Sequence, residues 1–157
     1  MKELNLKSSD IAGYFLKKAV DDGDLLTNLK MQKLVYYAYC WVLVLNDARL
    51  FNEHLQAWPN GPVSPSLYKK LSQYGYSPIS KDFIKEEAIK AIDKLDKFTK
   101  YTLDSVYASY IPMAAFELVT LTHNELPWKN ARKGLTDTEP SNKELEDKDI
   151  LEYFSKL

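Results

Sequence analysis

At 157 residues, with 45% hydrophobic and 27% charged side chains, the chain is long enough to bury one sizeable core, and its composition excludes disorder over most of its length. Its 21 basic against 22 acidic residues leave a net charge of −1, so no global basic field draws it to phosphate backbones and no nucleic-acid partner is expected. No stretch approaches the roughly 20 apolar residues of a membrane span, and the opening MKELNLKSSDIAGYF lacks the apolar run of a signal peptide, so a cytoplasmic protein with no membrane partner is expected.

In chain order, Ser8 or Ser9 is placed to cap a helix whose Ile11, Ala12, Phe15, Leu16, Ala19 and Val20 form one stripe, ending before Gly23. Thr27 caps the next helix, where Met31, Leu34, Val35, Ala38, Val42 and Leu45 recur at three- and four-residue steps. Leu29, Tyr36, Cys40 and Leu43 add a second apolar stripe. A helix apolar on most of its circumference is normally surrounded, so this one is expected at the centre of the core, with Lys30, Gln32 and Lys33 at its start reaching solvent. The pattern stops at Asn46-Asp47. Leu50-Phe51 and Leu55 to Trp58 flank the polar Asn52-Glu53-His54, which predicts a short β-hairpin with its tip there.

Pro59-Asn60-Gly61-Pro62 forces a turn, because two prolines fix φ and glycine reaches positive φ. Ser64-Pro65 reads as cap plus first helical position of a helix to Tyr74, stopped by Gly75. Ile79 to Glu87 gives no period and is read as a loop that can hold a short helix. From Ala88 the pattern is helical again through Ile92, Leu95, Phe98, Leu103, Val106, Tyr107 and Tyr110, with a break before Phe98. Pro112 marks a new start, Met113 to Leu121 is helical, and Pro127 opens a short helix that Gly134 ends. Residues 135–143 form a polar linker to a last helix capped by Asp147, with Ile150, Leu151 and Phe154 inward. The fold class expected is mainly α: one compact multi-helix domain over residues 1–157, around one buried central helix, with a small β-hairpin.

Chemistry-bearing residues are sparse. Cys40 lies mid-helix in an apolar context, where a thiol is protonated and inert, and with one cysteine there is no internal disulfide. His54, His123 and Cys40 lack any paired spacing for a metal, and His54 reads as a solvated tip. His123 ends a helix, where an imidazolium suits the negative end of the dipole and either ring nitrogen can brace a turn; a partner contact or a catalytic role is the alternative. Trp58 and Trp128 each adjoin a proline, so their backbones are stiff, and they either fill the core or serve as rigid interface anchors. The Gly61 turn lacks the glycine run and Lys-Ser/Thr of a phosphate loop. Glu86-Glu87, Glu144, Glu146 and Asp147 read as solvated surface rather than as a paired acid and base. Nothing here is positive evidence for an enzyme, and no cofactor is expected.

The run Leu29-Lys30-Met31-Gln32-Lys33-Leu34-Val35-Tyr36-Tyr37-Ala38, then Ala57-Trp58-Pro59-Asn60-Gly61-Pro62-Val63 and Leu67-Tyr68, resembles the Panacea domain, a family that includes SocA-like antitoxins and phage-associated GepA-like proteins. Thr122-His123 followed by Pro127-Trp128 resembles its second landmark, and Ile150 to Phe154 its C-terminal helix. Tyr39-Cys40 departs from the pattern, which carries a Gln and a small residue there. The resemblance implies an antitoxin that neutralises a cognate protein toxin by direct binding. Its alternatives are an adaptor delivering the toxin to an ATP-dependent protease, or an enzyme modifying its partner. Resemblance and turn geometry together suggest a partner-binding rim of Tyr37, Trp58, Asn60, Tyr68, His123 and Trp128; the competing site is the basic helix start, Lys30 and Lys33, suited to an acidic toxin surface.

Overall fold

The computed structural model describes residues 1–157. Its elements run β1 (Lys2–Leu6), α1 (Ser8–Asp22), α2 (Asn28–Asn46), β2 (Ala48–Phe51), β3 (Gln56–Trp58), β4 (Gly61–Val63), α3 (Pro65–Leu71), α4 (Glu86–Asp93), α5 (Lys97–Tyr110), α6 (Ala115–His123), α7 (Leu126–Ala131) and α8 (Asp147–Phe154), with single 3-10 turns at Ser72–Tyr74 and Lys81–Phe83. The molecule is therefore mostly helical with two small sheets, and no helix is long and apolar enough to cross a membrane.

Helix α2 starts where Thr27 Oγ1 accepts the Lys30 amide at 3.3 Å, and ends where Asp47 takes a left-handed conformation. Every residue from Met31 to Cys40 is buried, so the helix has no solvent face over nearly three turns. It touches α1, α3, α5, α6, α8, β2 and β4, within a hydrophobic cluster of 33 buried residues. Gln32 and Lys33 are 1% and 0% exposed, which corrects the expectation that the start of the helix is solvated. The same stripes overreach at their ends. Val20, Leu45 and Phe98 are exposed, and Leu45 and Phe98 line an open groove with Trp41 and Tyr101 between α2 and α5.

Leu34 is fully buried on α2, so Leu34→Ala is expected to cost about 2 to 5 kcal/mol of stability, the range for deleting a leucine side chain from a close-packed interior. A urea melt checks this, and a midpoint barely moved from wild type would show that the α2 packing is wrong.

The strands depart most from expectation. β2 does not fold back on β3; it pairs in parallel with β1, Lys2 opposite Ala48 and Leu6 opposite Phe51. The hairpin instead joins β3 to β4 around Pro59-Asn60, with Trp58 opposite Gly61. Asn52-Glu53-His54 is thus a connection between sheets, with a task of its own. Glu53 accepts the Ser8 amide (2.6 Å) and the hydroxyls of Ser8 (2.5 Å), Ser64 (2.8 Å) and Ser66 (2.6 Å). One carboxylate therefore sits at the N-termini of both α1 and α3, where the helix dipoles favour an anion, and these bonds hold its pKa below the usual carboxylate value. Neither Ser8 nor Ser9 caps α1 as a side chain; Lys7 is the cap residue and Glu53 supplies the acceptor.

Residues 135–143 run as a connection without helix or strand, but they are fastened. Arg132 Nη2 donates to the Thr136 and Glu139 carbonyls (2.7 and 2.6 Å), and Lys143 to Leu145 lie along the free edge of β3 through Ala57 N to Lys143 O and Leu145 N to Leu55 O, both 2.8 Å. Asp147 opens α8 with Glu146 as cap residue. Its carboxylate is not merely solvated: it accepts from the Tyr39 hydroxyl at 2.8 Å and from Arg49 Nη2 at 2.7 Å, tying α8 to α2 and β2.

Candidate functional site

The β3–β4 turn is built from Trp58-Pro59-Asn60-Gly61-Pro62. Gly61 has φ +109° and Trp58 lies opposite it in the ladder. A Cβ at Gly61 would lie 2.6 Å from Lys33 Cε and 2.7 Å from Thr122 Oγ1, so α2 and α6 press directly on the backbone of the turn. Lys33 Nζ donates to the Pro62 carbonyl at 3.2 Å and has no carboxylate partner. Complete burial pushes its amine down to about 7.

On the other side, three side chains donate to three consecutive carbonyls. Arg132 Nη1 reaches Ala57 O at 2.7 Å, Trp128 Nε1 reaches Trp58 O at 2.8 Å, and His123 Nε2 reaches Pro59 O at 2.8 Å. The donors support one another. The His123 ring stacks on Trp128 with centroids 3.9 Å apart and planes 14° apart, and the Arg132 guanidinium lies 5.2 Å from the Trp128 ring centroid. Pro127 in the first turn of α7 sets the entry of that helix, and Arg132 follows Trp128 by four residues, so both face the hairpin.

Because a carbonyl only accepts, His123 carries its proton on Nε2. Burial lowers its pKa, and the Nε2 proton goes to a carbonyl from another part of the chain rather than to its own helix end. The turn it braces is Pro59-Asn60, brought in from the other half of the chain.

Five of the six rim residues named from the sequence meet here. Trp58 is half-buried and packs edge-on against Tyr68 with centroids 4.9 Å apart. Asn60 at the tip is exposed, Tyr68 is 42% exposed, His123 is half-buried, and Trp128 is buried beneath the turn. Tyr37 does not belong with them. It is 0% exposed, its hydroxyl donates to Glu125 Oε2 at 2.8 Å, and its ring stacks on Tyr110 at 4.0 Å.

The competing basic site is also altered. Lys33 is interior, and Lys30 is half-buried with its Nζ donating to Ile111 O at 2.6 Å, so the start of α2 does not present two free cations.

Two residues of the site escaped the sequence reading. Arg132 had a readable signal, its four-residue spacing from Trp128. Glu125 had none, because a carboxylate is ordinarily a surface group. It is 2% exposed, accepts from Tyr36 (3.0 Å) and Tyr37 (2.8 Å), and has no cationic partner; burial outweighs those two hydrogen bonds and pushes it up to about 7. Cys40 is wholly buried nearby, and burial holds its thiol well above its ordinary value, so it presents no thiolate. His54 is exposed, with Nδ1 3.8 Å from Glu144.

Comparison with known proteins matches the same stretches. Antitoxin SocA of Caulobacter vibrioides (strain NA1000 / CB15N) is 29% identical over 124 residues, which cover 75% of this chain and 66% of that protein, so the match spans about two thirds of the relative's length. No solved structure matches significantly. The profile described as antitoxin SocA-like, Panacea domain, matches residues 31–129, a span that contains all but the first three residues of α2, the clasped turn, His123 and Trp128. The chain belongs to the SocA-like Panacea domain family.

Proposed function

We propose that this protein is an antitoxin that neutralises a cognate protein toxin by binding it directly, as one domain spanning residues 1–157 with its recognition rim at the β3–β4 turn. The observation that carries this reading is the clasp. Trp58 and Asn60 are displayed on a turn, with Tyr68 of α3 packed against Trp58, and that turn has its carbonyls held by three mutually supporting donors and its floor formed by Lys33 and Thr122. Aromatic groups fixed before encounter lose little conformational entropy on binding, the property of interface anchors. His123, Trp128 and Arg132 act behind the rim as positioning residues. The family and the name of the curated relative support the antitoxin role.

The test uses the toxin encoded beside this gene. Trp58→Ala, Asn60→Ala and Tyr68→Ala, each shown to melt with the wild type, are expected to weaken toxin binding about tenfold or more, with matching loss of protection in co-expression. Normal binding by all three, with loss on Lys30→Glu, would move the site to the start of α2. Wild-type protein that protects cells without forming a complex would favour the enzyme or adaptor readings.

A further inference from the structure

Beside the rim runs a groove of about 650 Å³ whose walls are Gln56, Trp58 and Pro59 on one side and Pro140, Ser141 and Asn142 on the other. Its surface is mainly hydrocarbon and proline ring. The second wall is not a loose loop. Arg132 ties the Thr136 and Glu139 carbonyls, the Thr136 amide donates to Glu139 Oε1 at 3.2 Å, and Lys143 is bonded back to β3. One arginine therefore holds both walls, since its other nitrogen grips Ala57 O.

The arm that makes this wall is acidic. Asp137 and Glu139 are exposed and neither has a cation within salt-bridge distance. Both lie in the same short connection as Pro140, Ser141 and Asn142, Glu139 directly before the groove wall. The nearby cation Lys143 lines a separate polar groove, with Asn52, His54 and Asn130.

We infer that this groove is the docking channel for an extended, basic segment of the toxin, which lays an apolar or proline side chain between Trp58 and Pro140 and sets a Lys or Arg against Asp137 and Glu139. The inference rests on the toxin-binding reading and adds the chemistry of the partner segment. Two walls fixed in advance and lined by proline and tryptophan suit an extended chain rather than a helix, because proline and aromatic surfaces pack against the side chains of extended backbone. The unpaired acids supply charge complementarity, which acts mainly on association rate and on the choice of partner.

The experiment is calorimetric titration of the neighbouring-gene toxin into the full chain, at low and high salt. Asp137→Lys combined with Glu139→Gln, which keeps an acceptor for the Thr136 amide, is expected to lower affinity at least tenfold at low salt and to flatten the salt dependence. Trp58→Ala should cost a similar factor, with recovery in Trp58→Phe. Lys69→Glu with Lys70→Glu, exposed on α3 and not among the residues that line the groove, should bind within twofold of wild type. Wild-type affinity in the Asp137/Glu139 variant with a tight wild-type complex would overturn the channel while leaving the antitoxin reading standing. Protection from hydrogen exchange on Leu45, Phe98 and Tyr101 instead of residues 136–142 would do the same and place the toxin on the α2–α5 groove. Absence of any wild-type complex would remove the binding reading and the channel with it.

Discussion

Gly61→Ala is expected to destabilise the fold by about 2 to 5 kcal/mol, from backbone strain at positive φ and overpacking together. The overpacking decides the size. The new methyl would lie 2.6 Å from Lys33 Cε and 2.7 Å from Thr122 Oγ1. A lysine end usually swings away cheaply, but Lys33 is 0% exposed and its Nζ is bonded to Pro62 O, so it has nowhere to go. Gly23→Ala is the internal control. Gly23 has φ +76° with nothing within 4 Å of its Cβ position, so only the conformational cost of about 1 to 2 kcal/mol applies. Urea melts of both variants check the pair, and equal midpoints would mean that the turn does not rest on Lys33 and Thr122.

The second large effect is a pH dependence with two limbs. Glu125 rises from 4.5 to about 7 in the fold, so the native state holds its proton more tightly than the unfolded chain. Its contribution is fully present below pH 4.5 and is lost as pH rises through 7, by about 3 kcal/mol. Glu125→Gln, which can still accept from one tyrosine and donate to the other, should match wild type near pH 4.5 and exceed it by about that amount at pH 8.

Lys33 has the opposite sign. Its pKa falls from 10.5 to about 7, so the native state gives up its proton first, and stability is recovered as pH rises from 7 to 10.5. The advantage of Lys33→Met over wild type should therefore be largest below pH 7 and shrink above it, where the unpaired Pro62 carbonyl becomes the dominant cost. Denaturation at pH 4.5, 7, 8 and 10 reads both limbs. A Glu125→Gln difference that stays flat with pH would show that this carboxylate is not desolvated as described.

Local chemistry was readable where one residue decides it. Thr27 and Ser64-Pro65 start helices, and Gly23 and Gly75 stop them at positive φ, whereas the break expected before Phe98 is set by Asp96, which accepts the Thr99 amide at 2.7 Å. What misled was polarity taken as a mark of the surface. Asn52-Glu53-His54 looked like a hairpin tip, yet its carboxylate serves two helix N-termini, and the hairpin formed where Pro59 and Gly61 preset the backbone. Strand β1 left no signal because Lys2–Leu6 is largely exposed and pairs only with β2, 46 residues away at Lys2 and Ala48. Lys33, Arg132 and Glu125 are charged residues kept inside by hydrogen bonds to groups distant in sequence, and no periodicity encodes such partners. The stiff settings of Trp58 and Trp128, which meet at the β3–β4 turn, were legible because each adjoins a proline. Tyr37 was misplaced with them because one step around α2 separates it from Tyr36, and on a helix buried all round neither position faces out.

The most direct test of the account is the stoichiometry of protection. The protein and its neighbouring toxin are co-expressed at graded ratios, and growth is compared with the complex recovered by co-purification. Direct neutralisation predicts that growth is restored only as the two approach equimolar amounts, and that the recovered complex tracks the restored growth. Full protection at strongly substoichiometric antitoxin, with no complex recovered, would contradict it.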